Sequence, residues 1–143
     1  MTLTAQDFAN PRQIFDRVPF IRLLGMQRVF SDGGKARLQL PPQGTLGNVI
    51  GAAHGGAIFT LLDVVMASAA VSVHDFSRTA VTLNISSSFL APGHGLLTAD
   101  GELLHETDGV AHCQARVTDA AGQIVAQAQG TFRYLPLPGT PRT

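Results

Sequence analysis

The chain has 143 residues, its ten basic and ten acidic side chains cancel, and 45% of its residues are hydrophobic. That length fits one domain with a sizeable core and is short for two, and balanced charge without a Lys/Arg run argues against a nucleic-acid or anionic-membrane surface. A single cysteine, Cys113, excludes an internal disulfide framework. With no basic start and apolar run in "MTLTAQDFANPRQIF", the expected location is the cytoplasm.

In chain order, "PRQIFDRVPFIRLLG" (Pro11 to Gly25) predicts a short N-terminal helix interrupted near Pro19 and ended by Gly25. In "KARLQLPP", Ala36, Leu38 and Leu40 alternate with Lys35, Arg37 and Gln39, the pattern of a half-buried strand closed by Pro41 and Pro42. Met26 to Ser31 is expected to pair with it across the turn "SDGGK". "PPQGTLGNVIGAAHGG" reads as a glycine-rich loop. Beyond a long apolar segment, strands are expected over Thr79 to Ala91 and Gly95 to His105. A hairpin of Val110 to Thr118 with Gln123 to Leu135 then turns at "DAAG".

The apolar segment is "HGGAIFTLLDVVMASAAV", with the helix expected over His54 to Val73. Its length invites a membrane reading. That reading places Asp63 near mid-bilayer without a cationic partner, at about 2.5 to 3.5 kcal/mol, and the segment leads into an all-β pattern, so a helix wrapped in protein is expected instead.

The last hairpin carries small side chains on its inward faces: Ala111, Cys113, Ala115 and Val117 on one strand, Ala126, Ala128 and Gly130 on the other. The helix is also rich in small residues, at Ala57, Ala67, Ser68, Ala69 and Ala70. Small residues on both surfaces permit close approach. The expected architecture is therefore α+β, a curved antiparallel sheet closed around one long central helix and preceded by a short N-terminal helix, the hotdog arrangement. The core is expected over about residues 25–135, with 136–143 as a flexible tail.

"GNVIGAAHGGAIFTLLDVVMASAA" resembles the signature segment of hotdog-fold acyl-CoA thioesterases of the phenylacetate-degradation (PaaI-like) type, in which Asn, His-Gly-Gly and a helical Asp recur at this spacing. Asn48, His54, Gly55, Gly56 and Asp63 match, and the order of elements is similar from about Gly25 to Leu135. The resemblance implies hydrolysis of an acyl-CoA thioester. Asp63 would be general base or nucleophile, Asn48 would position water or the acyl group, and the glycine amide would polarise the carbonyl. His54 joins the catalytic candidates, with capping of the helix as its plainer role. No cofactor is implied, CoA being part of the substrate.

The residues support these roles independently. A helix N-terminus presents unpaired N–H groups and partial positive charge, and Gly55 and Gly56 leave room for a thioester carbonyl to reach them. Oxyanion donors are worth about 3 to 4 kcal/mol each, more than the roughly 1 kcal/mol that each glycine costs a helix. A carboxylate at Asp63 in an apolar pocket would be poorly solvated and more reactive.

Gly55 and Asp63 are eight positions apart, about 12 Å along a helix axis, too far to act on one carbonyl. Two helices packed antiparallel about a two-fold axis would bring Gly55 of one chain to Asp63 of the other, so a homodimer with shared sites, or a homotetramer built from it, is expected.

Substrate contacts are expected from Thr79 or Thr82, a hydroxyl that family members place near the start of the strand after the helix, and from Pro92 and Gly93 in "FLAPGHG". There Ala91 stands where the family often has arginine, leaving Arg78, Arg116, Arg133 or loop amides for the CoA phosphates. His54, His74, His94, His105 and His112 show no i, i+4 pair, so no metal site is expected. The rival readings are a hotdog hydratase, whose Asp-to-His spacing is missing, and a non-catalytic acyl-CoA-binding or sensing module, which would need no carboxylate at the carbonyl.

Overall fold

A computed structural model describes residues 3–138. After a 3-10 turn over Ala5–Ala9 come two short helices, α1 (Pro11–Ile14) and α2 (Pro19–Leu24), with a second 3-10 turn over Phe15–Arg17 between them. Pro19 sits in the first turn of α2, where its missing N–H costs nothing. Gly25 ends that helix at φ 75°, a left-handed conformation that glycine adopts without steric cost.

Six strands follow: β1 (Gln27–Asp32), β2 (Lys35–Leu40), β3 (Arg78–Phe89), β4 (Leu97–Thr107), β5 (Val110–Thr118) and β6 (Ile124–Pro136). They form one antiparallel sheet in the order β1-β2-β4-β5-β6-β3. β1 and β2 close on Asp32↔Lys35 through Gly33 and Gly34, both at positive φ, as a two-residue hairpin requires. Ala36, Leu38 and Leu40 are buried, the alternation their spacing predicts.

Helix α3 (Gly55–Ser72) crosses the concave face and packs against all six strands. It is long and apolar enough to span a membrane by composition, with mean hydropathy 1.7, but ten of its residues are buried against its own sheet. The expected range is trimmed by one residue at each end, because His54 is the N-cap and Val73 the C-cap. Close approach comes from glycine. A Cβ on Gly101 of β4 would stand 2.6 Å from the Val65 carbonyl oxygen, and one on Gly130 of β6 would stand 3.1 Å from the Met66 methyl.

This is the α+β hotdog fold. Most strand boundaries lie one or two residues from expectation, β3 for example ending at Phe89 instead of Ala91, and two of the shifts have a visible cause. β4 begins at Leu97, because Gly95 turns the chain at φ 71°. The folded chain also continues past 135: Pro136 pairs with Arg78 and Leu137 is buried, so the expected tail begins too early, and residues 139–143 lie outside the described ones.

Candidate active site

The loop before α3 fixes the helix N-terminus. The Asn48 side-chain oxygen accepts from the backbone N–H groups of Ile50 and Ala52 at 3.1 and 3.0 Å, an Asx turn that folds residues 48–52 back on themselves. The His54 N–H then donates to the Leu46 carbonyl at 2.7 Å. His54 caps the helix, its Nδ1 accepting from the Gly56 N–H at 2.8 Å. That bond requires an unprotonated Nδ1, so the neutral ring carries its proton on Nε2.

The two glycines divide their work. Gly56 has no Cβ because one would stand 3.1 Å from His54 Nδ1 and press on the cap. Gly55 is different: its N–H has no partner among the described residues, and a Cβ there would meet only the Phe89 ring at 3.9 Å. Neither packing within the chain nor backbone conformation demands glycine at 55. Its open amide is the free donor at the helix N-terminus.

Asp63 lies on the stripe Gly56–Thr60–Asp63–Ala67–Val71, the one face of α3 that the sheet leaves uncovered. It is half-buried, and Oδ1 accepts from the Thr82 hydroxyl at 2.6 Å, leaving Oδ2 without a partner among the described residues. A bulge aims Thr82. β3 pairs Thr82 with Phe132 but Asn84 with Thr131, so Leu83 is an extra residue and the inward set switches from Ala80 and Thr82 to Ile85 and Ser87.

Two hollows divide the expected residues. Asp63, Thr79, Thr82 and Arg78 line a cleft of about 240 Å³ along α3. Asn48 and Gly93 line another, of about 340 Å³, beside the loop. Pro92 is exposed next to it, while Gly93 is buried with its carbonyl accepting from the Ala53 N–H at 2.9 Å. Arg116 is on the outer face of the sheet, away from both. Within one chain the structure thus brings Asp63 to the two threonines and separates it from Asn48, His54, Gly55 and Gly93.

The Asp63 cleft includes residues that sequence reasoning passed over. Pro11, Ile14, Phe15, Val18 and Ile21 come to it from the N-terminal segment, and Phe76 from the turn after α3. The apolar residues Ile14, Val18 and Ile21, spaced four and then three apart, were a legible signal of a buried side, although they belong to α1, to the extended residue before Pro19 and to α2. Phe76 had none.

Comparison with known proteins identifies the family and the fold. The Thioesterase superfamily matches residues 50–126, from the loop before α3 into β6. Conserved protein PA5202 of Pseudomonas aeruginosa is 33% identical, with a TM-score of 0.79 over 82% of this chain and 94% of that one. The E. coli PaaI protein, from the phenylacetic acid degradation operon, is 23% identical with a TM-score of 0.80, covering 97% and 99% of the two chains. A thioesterase family protein from Silicibacter pomeroyi is 21% identical, with a TM-score of 0.82 over 92% and 99%.

The fold and the match define the class: a hotdog thioesterase, PaaI-like in architecture. The chain belongs to the Thioesterase superfamily, a family of acyl-thioester hydrolases.

Proposed function

We propose that the protein hydrolyses acyl-CoA thioesters without a cofactor, as a homodimer whose two active sites are each built from both chains. One observation carries this reading. The free Gly55 amide and the Asp63 carboxylate lie eight residues apart on one unbroken helix, on opposite sides of the 12 Å that separate two halves of a site.

Other features support a second copy as the missing half. β3 is an edge strand of twelve residues with Val81, Leu83 and Phe89 about half exposed, and unpaired edges of that length are templates for pairing with another chain. Phe59 on α3 and Val49 and Ile50 in the preceding loop add exposed apolar area. In an antiparallel pair, Asp63, Thr79 and Thr82 of one chain would face Asn48, His54, Gly55 and the Pro92–Gly93 loop of the other.

In this site the Thr82 hydroxyl holds Oδ1 and turns Oδ2 toward a water molecule. Oδ2 takes a proton as the water oxygen bonds to the thioester carbon, and the carbonyl π electrons move to oxygen, where the partner's Gly55 N–H meets the developing charge. The tetrahedral intermediate collapses by breaking the C–S bond, and the sulfur leaves with the proton from Asp63. Free acid and CoA result. Asn48, its oxygen spent on the loop, contributes the shape of the helix start and an amide NH2 facing the hollow.

Mixing two inactive variants, Asp63→Ala and Gly55→Val, tests the two-chain site. A mixed dimer holds one site with both defects and one with neither; with random exchange about half the dimers are mixed, so about a quarter of the original activity returns. Exchange is verified by mass or by a tag. Demonstrated exchange with activity still at the level of the single variants rules the shared site out.

A further inference from the structure

The cleft that Asp63 lines also takes in Val64, Ala67 and Val71 along α3 and Phe76 from the turn beyond the helix. From Asp63 to Val71 is eight helical residues, about 12 Å, or roughly ten single bonds of an extended chain. The depth sets a substrate part of about eight to ten atoms, and the cleft volume of about 240 Å³ accommodates one of that size.

The turn that carries Phe76 is held in an unusual way. Asp75 and Phe76 follow α3 at φ 53° and 61°, left-handed conformations that non-glycine residues rarely adopt and that persist where the surroundings enforce them. The enforcement is visible. Asp75 is ion-paired with Arg12, whose guanidinium lies 5.5 Å from the Phe76 ring centre. Arg28 of β1 lies over the same ring at 5.4 Å and over Phe15 at 5.3 Å, donates to the Arg12 carbonyl at 2.7 Å, and approaches Asp16 at 3.5 Å. Two arginines thus clasp the N-terminal segment and Phe76 together, and Phe76 is 6% exposed although it lies in a surface turn.

Resting on the thioesterase reading, we infer that Phe76, clasped to the N-terminal segment by Arg12 and Arg28, is the end-stop of the acyl pocket and limits the acyl group to about eight to ten non-hydrogen atoms. Phe15 forms the side wall beside it. Pro11, Ile14, Val18 and Val71 supply apolar lining to the same cleft as Phe76, with Arg78 and Ser68 among its polar lining. Phe76 and Phe15 act on acyl length alone and take no part in the bond-breaking step.

The test is a straight-chain series of acyl-CoA thioesters from two to sixteen carbons, with kcat/KM measured for the original protein, Phe76→Gly and Phe15→Ala. Glycine both removes the ring and suits φ 61°, so this variant relieves backbone strain as it opens the pocket. The original protein should peak at six to eight carbons and fall at least tenfold by twelve. Phe76→Gly should move the peak longer by two to four carbons, and Phe15→Ala, which leaves the turn intact, should move it in the same direction by less. Equal hydrolysis of eight- and sixteen-carbon substrates, or an unmoved peak in both folded variants, overturns the end-stop and leaves the thioesterase reading standing. No hydrolysis at any length overturns both.

Discussion

Gly101 and Gly55 both border α3, and they are glycines for opposite reasons. On the covered face, a Cβ on Gly101 would stand 2.6 Å from the Val65 carbonyl oxygen, so the sheet can lie on the helix only without it. At the start of the uncovered stripe, a Cβ on Gly55 would meet nothing closer than the Phe89 ring at 3.9 Å, and the residue's N–H has no partner among the described residues. One glycine is explained by the chain's own packing. The other is unexplained until something from outside the chain is placed against it. The same contrast separates the ten buried residues of α3 from Asp63, a carboxylate that lines the cleft with one oxygen bonded to Thr82 and the other without a partner among the described residues.

The largest effect should come from the uncovered face. Asp63→Asn keeps the size of the side chain and an oxygen for the Thr82 hydroxyl, but cannot take a proton from water. Thioester hydrolysis should fall by about 10² to 10⁴ in kcat with the melting temperature almost unchanged. Near-normal turnover would remove Asp63 from the chemistry, whereas retained acyl-CoA binding by an original protein that shows no turnover would favour a sensing module.

The glycine pair sharpens the comparison at somewhat smaller cost. Gly101→Ala forces a methyl against backbone that cannot rotate away, and should destabilise the fold by about 1 to 3 kcal/mol. Gly55→Val should leave stability near the original and lower kcat by about 10² to 10³, the loss typical of one oxyanion donor. Cys113 reports the difference. It is buried on β5 and its thiol is pushed up to about 12 by desolvation, so at pH 8 the folded protein carries almost no thiolate and alkylation waits on opening. Alkylation should quicken in Gly101→Ala and not in Gly55→Val. The reverse result would make Gly55 the packing glycine.

What the sequence disclosed follows the same division. Periodicity placed β2 and the last hairpin within a few residues because each strand buries one regular face, the length of an almost wholly apolar run placed α3, and Pro19 and Gly25 marked the break and the end of the N-terminal helix through backbone chemistry that needs no partner. Gly101 could not be read as a contact glycine, since it sits in a polar stretch, "TADGEL", and its reason is a helix more than thirty residues earlier. Phe76 was equally silent: its place in the cleft depends on Arg12 and Arg28, which no local pattern links to it. The bulge at Leu83 that aims Thr82 is likewise a property of pairing with β6. Asn48 shows the opposite hazard, a motif residue whose side-chain oxygen proves to be engaged in shaping its own loop.

His54 should produce the smallest effect, and it separates capping from chemistry at the Gly55 end. Its Nδ1 is spent on the Gly56 N–H, so the ring's contribution through that atom is to keep one amide occupied while the neighbouring Gly55 amide stays free. His54→Ala removes the cap and should cost about 1 kcal/mol of stability. It also leaves two adjacent free amides where one served, which loosens the helix start and should lower kcat/KM severalfold. Asparagine is a good cap with a short side-chain oxygen, so His54→Asn should restore the melting temperature and most of the activity. Both quantities are read on the same preparations. If His54→Asn regains stability but stays a hundredfold or more below the original in kcat/KM, the imidazole does chemistry that its hydrogen bond to Gly56 does not account for, and Nε2, which carries the proton in the neutral ring, becomes the group to place against the substrate.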